Sequence, residues 1–197
     1  MAANEVRIIG GKWRGRKLSF PPVASLRPSL GRVRETLFNW LRSDVPGSRC
    51  LDLYAGSGAL GFEALSRGAA TVTFVDSHPK VCRALQDNAA RLGFTGCTIV
   101  RSNARKFLER ARAAGAPDFQ PWDIIFLDPP FGSSELPAAL THIRDGALLA
   151  PNGLLYFETS RHTSVDASGW RQIRYGTAGD SEFGLLAPDS PESTPDR

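Results

Sequence analysis

The strongest constraint on the fold is an alternation that begins near Arg49. Short apolar runs, RCLDLYA, TVTFVD, CTIVRSN, DIIFLDPPF and GLLYFETS, read as five strands. Between them lie a segment running through Arg67, HPKVCRALQDNAARLG, ARKFLERARAAG and a stretch near Leu136 to Asp145, all of helical period. Strands separated by helices require a mostly parallel sheet with right-handed crossovers, covered by helices on both faces. The last apolar stretch, WRQIRYGTAGDSEFGLLAP, reads instead as two strands about a tight turn at Gly179, Asp180 and Ser181. The expectation is an α/β fold whose seven-stranded, mostly parallel sheet ends in an antiparallel hairpin.

The amino-terminal quarter is different in kind. The segment IIGGKWRGRKLSFPP, residues 8–22, mixes glycine, basic side chains and two aromatics, and reads as a basic β-hairpin too polar to be core. From Arg27 the phrase RPSLGRVRETLFNWLR turns helical, with Pro28 and Ser29 as a start and Val33, Leu37, Trp40 and Leu41 at helical spacing. This divides the chain into a hairpin extension (1–26), a sheet domain (27–187) and a Pro, Ser and acid-rich tail (188–197) expected to be disordered.

Charge follows the same division. The net +4 of the 197-residue chain resolves into +7 over residues 1–49 and −3 over the remainder, which suggests that the amino-terminal part meets a polyanion. No apolar run reaches the roughly 18 residues needed to span a bilayer, and the first residues lack a secretory signal, so a cytoplasmic location is expected. Cys50, Cys82 and Cys97 are odd in number and widely spaced, which points to buried thiols, with no disulfide framework or metal site.

Two motifs carry chemistry. In DLYAGSGALG, Gly56, Gly58 and Gly61 have the G-x-G-x-x-G spacing between a strand and a helix, and Asp76 closes the next strand 20 residues after Gly56, where a carboxylate can hold ribose hydroxyls. Asp52 precedes the turn, and its negative charge would repel a pyrophosphate and hold an ammonium group, directly or through water. This favours S-adenosylmethionine over NAD. Tyr54, Ala55, Ser57 and Ser77 line the same region, and Asn103 and Ala104 would lie by the adenine, the amide of Asn103 accepting its exocyclic amine. The second motif, Asp128-Pro129-Pro130-Phe131, ends the fourth strand. Two prolines remove two N–H donors, so the Asp128 carboxylate and the Pro129 carbonyl form an acceptor-only pair suited to a base NH2 group, with Phe131 stacking on the extruded base.

RIIGGKWRGRKL, RPSLGRVRETLFNWL, CLDLYAGSGALGFEALSRGA and DPPF together resemble the RsmD family, the 16S ribosomal RNA guanine(966)-N2 methyltransferases, from Val6 to about Ala187. The resemblance implies a class I Rossmann-like methyltransferase fold, S-adenosylmethionine as donor with S-adenosylhomocysteine as product, and action on 16S rRNA or the small subunit; no metal is expected, and the access that a basic flap needs to a large polyanion suggests a monomer. The resemblance also implies a hairpin flap beside the pocket. Arg7, Lys12, Arg14, Arg16 and Lys17 of the flap, with Arg27, Arg32 and Arg34 nearby, would grip phosphates. Trp13 either stacks on a splayed base or packs under the flap. Other readings are an adenine-N6 methyltransferase, a non-catalytic RNA-binding assembly factor and an NAD-dependent oxidoreductase.

Overall fold

The computed structural model describes residues 4–22, 31–113, 119–130, 133, 135–161 and 166–189. Two antiparallel strands, β1 (Asn4–Arg7) and β2 (Lys17–Phe20), precede helix α1 (Gly31–Trp40). Then β3 (Arg49–Asp52), α2 (Ala59–Ser66), β4 (Thr71–Asp76), α3 (Pro79–Leu92), β5 (Cys97–Arg101), α4 (Ala104–Ala113), β6 (Trp122–Leu127), α5 (Glu135–Asp145) and β7 (Leu149–Ser160) alternate, before β8 (Trp170–Ala178) and β9 (Ser181–Pro188). The seven-stranded sheet runs β5-β4-β3-β6-β7-β9-β8. Its first five strands in that order are parallel, and β9 pairs antiparallel with both β7 and β8, which is the architecture the apolar runs imply.

Alternation along each strand builds two cores. Cys50, Phe74, Phe126 and Tyr156 face α1, α2 and α3, while Leu51, Val75, Leu127 and Phe157 face α4 and α5. Local signals set the element ends. Pro79 stands in the first turn of α3, the His78 imidazole accepts from the Lys80 amide at 3.2 Å, and Gly93 closes the helix at φ 66°. Among the described residues no helix is long and apolar enough to cross a membrane.

The hairpin departs from its sequence reading. Its strands begin earlier, at Asn4, and its apolar residues are core: Val6, Ile8, Leu18 and Phe20 are buried with residues of α1, α2 and α3. Period-two alternation turns Arg7 and Lys17 outward and these four inward, so a segment polar on average carries a wholly apolar face. The helix start expected at Pro28 and Ser29 lies outside the described residues, as do residues 190–197 of the tail.

Candidate functional site

The site is built where β4, β3 and β6 end side by side. Register aligns Asp52 with Phe74 on one neighbour and Phe126 on the other, so Asp76 and Asp128 each stand two residues further on, flanking the turn that follows β3. Two interstrand spacings separate their strands, about 10 Å. The turn needs its glycines. Gly56 and Gly58 take φ of 50° and 75°, and a Cβ on Gly58 would meet Leu85 and Phe62 at 2.6 Å. A Cβ on Gly61 would lie 2.3 Å from the Phe74 ring, so this glycine lets α2 pack closely on β4.

Both acidic residues at the turn are engaged with backbone. Asp76 Oδ2 accepts from the Gly56 amide at 3.0 Å and Oδ1 from the His78 amide at 2.8 Å, fastening the turn to the start of α3. A carboxylate has about four lone-pair sites, so each oxygen keeps one for a ligand hydroxyl. Asp52 is 2% exposed, and its Oδ2 accepts from the Gly61 amide at 3.0 Å, one of the N–H groups in the first turn of α2 that lack a helical partner. Burial pushes its carboxyl up to about 7, opposed by that hydrogen bond. This departs from the expectation that Asp52 presents its charge to the ligand: the group is buried and braces the turn.

Asn103 Oδ1 accepts from the Arg105 amide at 2.9 Å and, at 3.5 Å, from the Lys106 amide, capping α4. Ala104 is buried against the second core. Ser77 is exposed, Ser57 half-buried and Ala55 buried. Tyr54 is half-buried, and its phenol is held well above its usual value by burial and then by the nearby Glu135 carboxylate.

On β6, Asp128 is half-buried, Pro129 buried and Pro130 exposed, with the Pro130 carbonyl accepting from Ser133 N at 3.2 Å. Phe131 lies outside the described residues. On the adjacent strand, register pairs Leu127 with Phe157, which brings Tyr156 and Glu158 to the same end of the sheet as Asp128. Both are buried, and Tyr156 Oη donates to Glu158 Oε2 at 3.0 Å. Burial, then Glu158 and Asp128, push the phenol well above its usual range. The sequence reading missed this pair, although a Glu inside the apolar run GLLYFETS is a readable signal.

The basic residues assigned to RNA divide in two. Arg7, Lys12, Arg14, Arg16, Lys17 and Arg32 are exposed, with Lys17 paired to Glu5 at 2.6 Å and Lys12 over the Trp13 ring at 4.7 Å. Arg34 is 5% exposed and donates from Nη1 to the Arg7 carbonyl at 3.0 Å, so it knits α1 to the hairpin and is turned away from any solvent partner. Trp13 packs against Phe94 with tilted rings, centroids 4.3 Å apart, and donates to the Leu92 carbonyl at 2.9 Å, so it packs under the hairpin. Arg27 lies outside the described residues. The position of the turn is a further correction: Lys12 and Trp13 amides bond to Ser66 and the indole to Leu92, the carboxyl ends of α2 and α3. Both helices run back from the pocket edge, so the turn sits at the opposite edge, about 20 Å away along α3.

Burial raises the Cys50 thiol to about 12 and that of half-buried Cys97 to about 11, leaving them inert. Among the described residues no cluster of His, Cys, Asp or Glu could hold a metal.

Comparison with known proteins places this geometry in context. Residues 6–187 match a family model described as conserved hypothetical protein 95. The chain is 40% identical over 185 residues to the Ribosomal RNA small subunit methyltransferase D of Escherichia coli (strain K12), covering 93% of this chain and 90% of that protein. It is 40% identical over 182 residues to the protein of the same name from Haemophilus influenzae, covering 90% and 91%. Among solved structures, a putative methyltransferase yhhF from Escherichia coli superposes with a TM-score of 0.81 at 41% identity, covering 95% of this chain and 99% of that one.

Proposed function

The chain belongs to the RsmD family, with its class I Rossmann-like methyltransferase fold, and from that premise we propose that it methylates the exocyclic N2 amine of a guanine in 16S rRNA, the equivalent of position 966. The donor in this reading is S-adenosylmethionine, the enzyme is a cytoplasmic monomer, and the substrate is 16S rRNA, free or in the small subunit. The relatives' names support rRNA as the substrate class.

The site fits such a donor. Asp76 keeps acceptor sites for ribose hydroxyls, and the Gly56 and Gly58 backbone leaves no side chain in the way. In this reading the side-chain amide of Asn103 meets the adenine. When bound, the donor supplies an electrophilic methyl on a sulfonium sulfur.

The single observation that carries the reading is the Asp128-Pro129-Pro130 segment at the end of β6, one strand from the glycine turn. The Asp128 carboxylate and the Pro129 carbonyl accept the two amine protons, which turns the nitrogen lone pair out of conjugation with the ring. Asp128 then takes the proton that the methylated nitrogen releases. Incubating small-subunit RNA with label in the donor methyl and digesting the product tests this. Label in N2-methylguanosine is expected; label in N6-methyladenosine would replace the target, and no transfer would overturn the reading.

A further inference from the structure

The distance between the hairpin turn and the reacting edge leaves a gap in how RNA is held. Cations at the amino edge of the sheet cannot alone fix a base beside Asp128. The chain fills that gap with a second concentration of charge: residues 80–112 hold eight basic side chains against two acidic ones, while the rest of the chain beyond residue 49 holds six against fifteen. The basic excess is therefore not confined to the first quarter.

The fold arranges this second group as a line. On α3, Lys80, Arg83, Asp87 and Arg91 recur at spacings of three, four and four, and all are exposed, so they form one stripe along the helix, opposite the buried Val81, Cys82, Leu85 and Ala89. Lys80 to Arg91 spans about 16 Å. At its lower end Arg91 Nη2 donates to the Lys17 carbonyl at 2.5 Å, joining the stripe to the hairpin cations. At its upper end Lys80 lies in the first turn of α3, and Arg101 ends β5 directly opposite Asp76 in register. Exposed Arg105 and Lys106 follow in the first turn of α4.

We propose that Lys80, Arg83, Arg91, Arg101, Arg105 and Lys106 form a basic track that grips the sugar-phosphate backbone of the substrate RNA and connects the hairpin to the reacting edge. The proposal rests on the rRNA reading above. Exposed cations at these spacings contact phosphates without reading sequence, so they fix the position of the RNA and leave base choice to the pocket. Arg83 pairs with Asp87 at 3.1 Å and Arg105 with Glu109 at 2.8 Å, and all four side chains remain exposed.

The test is the salt dependence of binding to a small-subunit rRNA transcript, for the wild type, a Lys80→Gln/Arg83→Gln/Lys106→Gln variant and a separate Asp87→Asn variant. The triple variant is expected to lose about tenfold to a hundredfold in affinity at low salt and about two units of salt slope, with an unchanged thermal midpoint. Asp87→Asn, which removes the one acidic residue in the stripe, is expected to bind more tightly, an outcome that loss of folding cannot produce. Methyl transfer by the wild type with no change of slope in the triple variant, or no tightening in Asp87→Asn, would overturn the track alone. Absence of methyl transfer by a wild type that shows both effects would overturn the functional reading alone.

Discussion

Burial of Asp52 makes a measurable claim about stability. Its carboxyl moves from an ordinary 3.8 to about 7 because desolvation outweighs the Gly61 hydrogen bond. Between these values the folded chain binds a proton that the unfolded chain has released, so this group's contribution is fully present below about pH 4 and is lost as pH rises through 7. About three units at about 1.4 kcal/mol each put the loss near 4 kcal/mol. Asp52→Asn keeps an oxygen for the Gly61 amide and cannot ionise. The assay is urea unfolding of both proteins from pH 4 to 8.5, read as wild type minus variant, which cancels every other titrating group. The difference should fall by up to about 1.4 kcal/mol per pH unit between 4 and 7 and then level off. A difference that stays flat across that range would refute the argument that the Asp52 charge is desolvated.

If Asp128 holds the amine and not the donor, as proposed, Asp128→Ala should lower turnover by two orders of magnitude or more while calorimetry with S-adenosylhomocysteine shows little change. Asp76→Ala should do the reverse at limiting donor: it removes the ribose acceptor and the two bonds that fasten Gly56 and His78, so the affinity for S-adenosylhomocysteine should fall at least tenfold. Trp13→Ala should cost about 3–5 kcal/mol in denaturant unfolding through its lost packing on Phe94, with the salt slope of RNA binding unchanged; a large change of slope at full stability would instead make Trp13 a base contact.

The sheet was legible because its evidence is local and repeated. Each apolar run in 49–160 is bounded by a helical segment, and that pattern admits few topologies. The glycine spacing and Asp76 were legible for the same reason, since a strand, a turn and a helix occur in order within 30 residues. What could not be read was where polar side chains point. Arg34 resembles its neighbour Arg32 in sequence, yet helical phase buries one with Leu37 and Phe38 and exposes the other. Asp52 was assigned to ligand by type, whereas it meets a helix amide nine residues on that only the assembled turn supplies. Summing charge over long blocks hid the α3 stripe, because the acidic remainder of the chain cancels it.

The placement of the hairpin has its own cause in Glu63, and removing it separates anchoring from charge. Glu63 is fully buried on α2, and its two oxygens accept from the Ile9 amide at 2.7 Å and the Gly10 amide at 2.8 Å. Oε1 also meets Arg67 Nε at 2.7 Å. The carboxylate thus satisfies two backbone donors of the chain leading into the hairpin turn, and Gly10 allows the close approach: a Cβ there would lie 2.4 Å from the Arg67 guanidinium. Glu63→Ala would leave two donors without partners, at about 1–3 kcal/mol each, and strand the Arg67 charge. Hydrogen exchange should show protection lost at Ile9, Gly10, Lys12 and Trp13 while the β3, β4 and β6 amides keep theirs. Protection retained at Ile9 and Gly10 would mean that packing of Ile8 and Leu18 holds the hairpin without the carboxylate. Loss there, with the basic side chains all still present, would make any fall in RNA affinity a consequence of where the charges are held and not of how many there are.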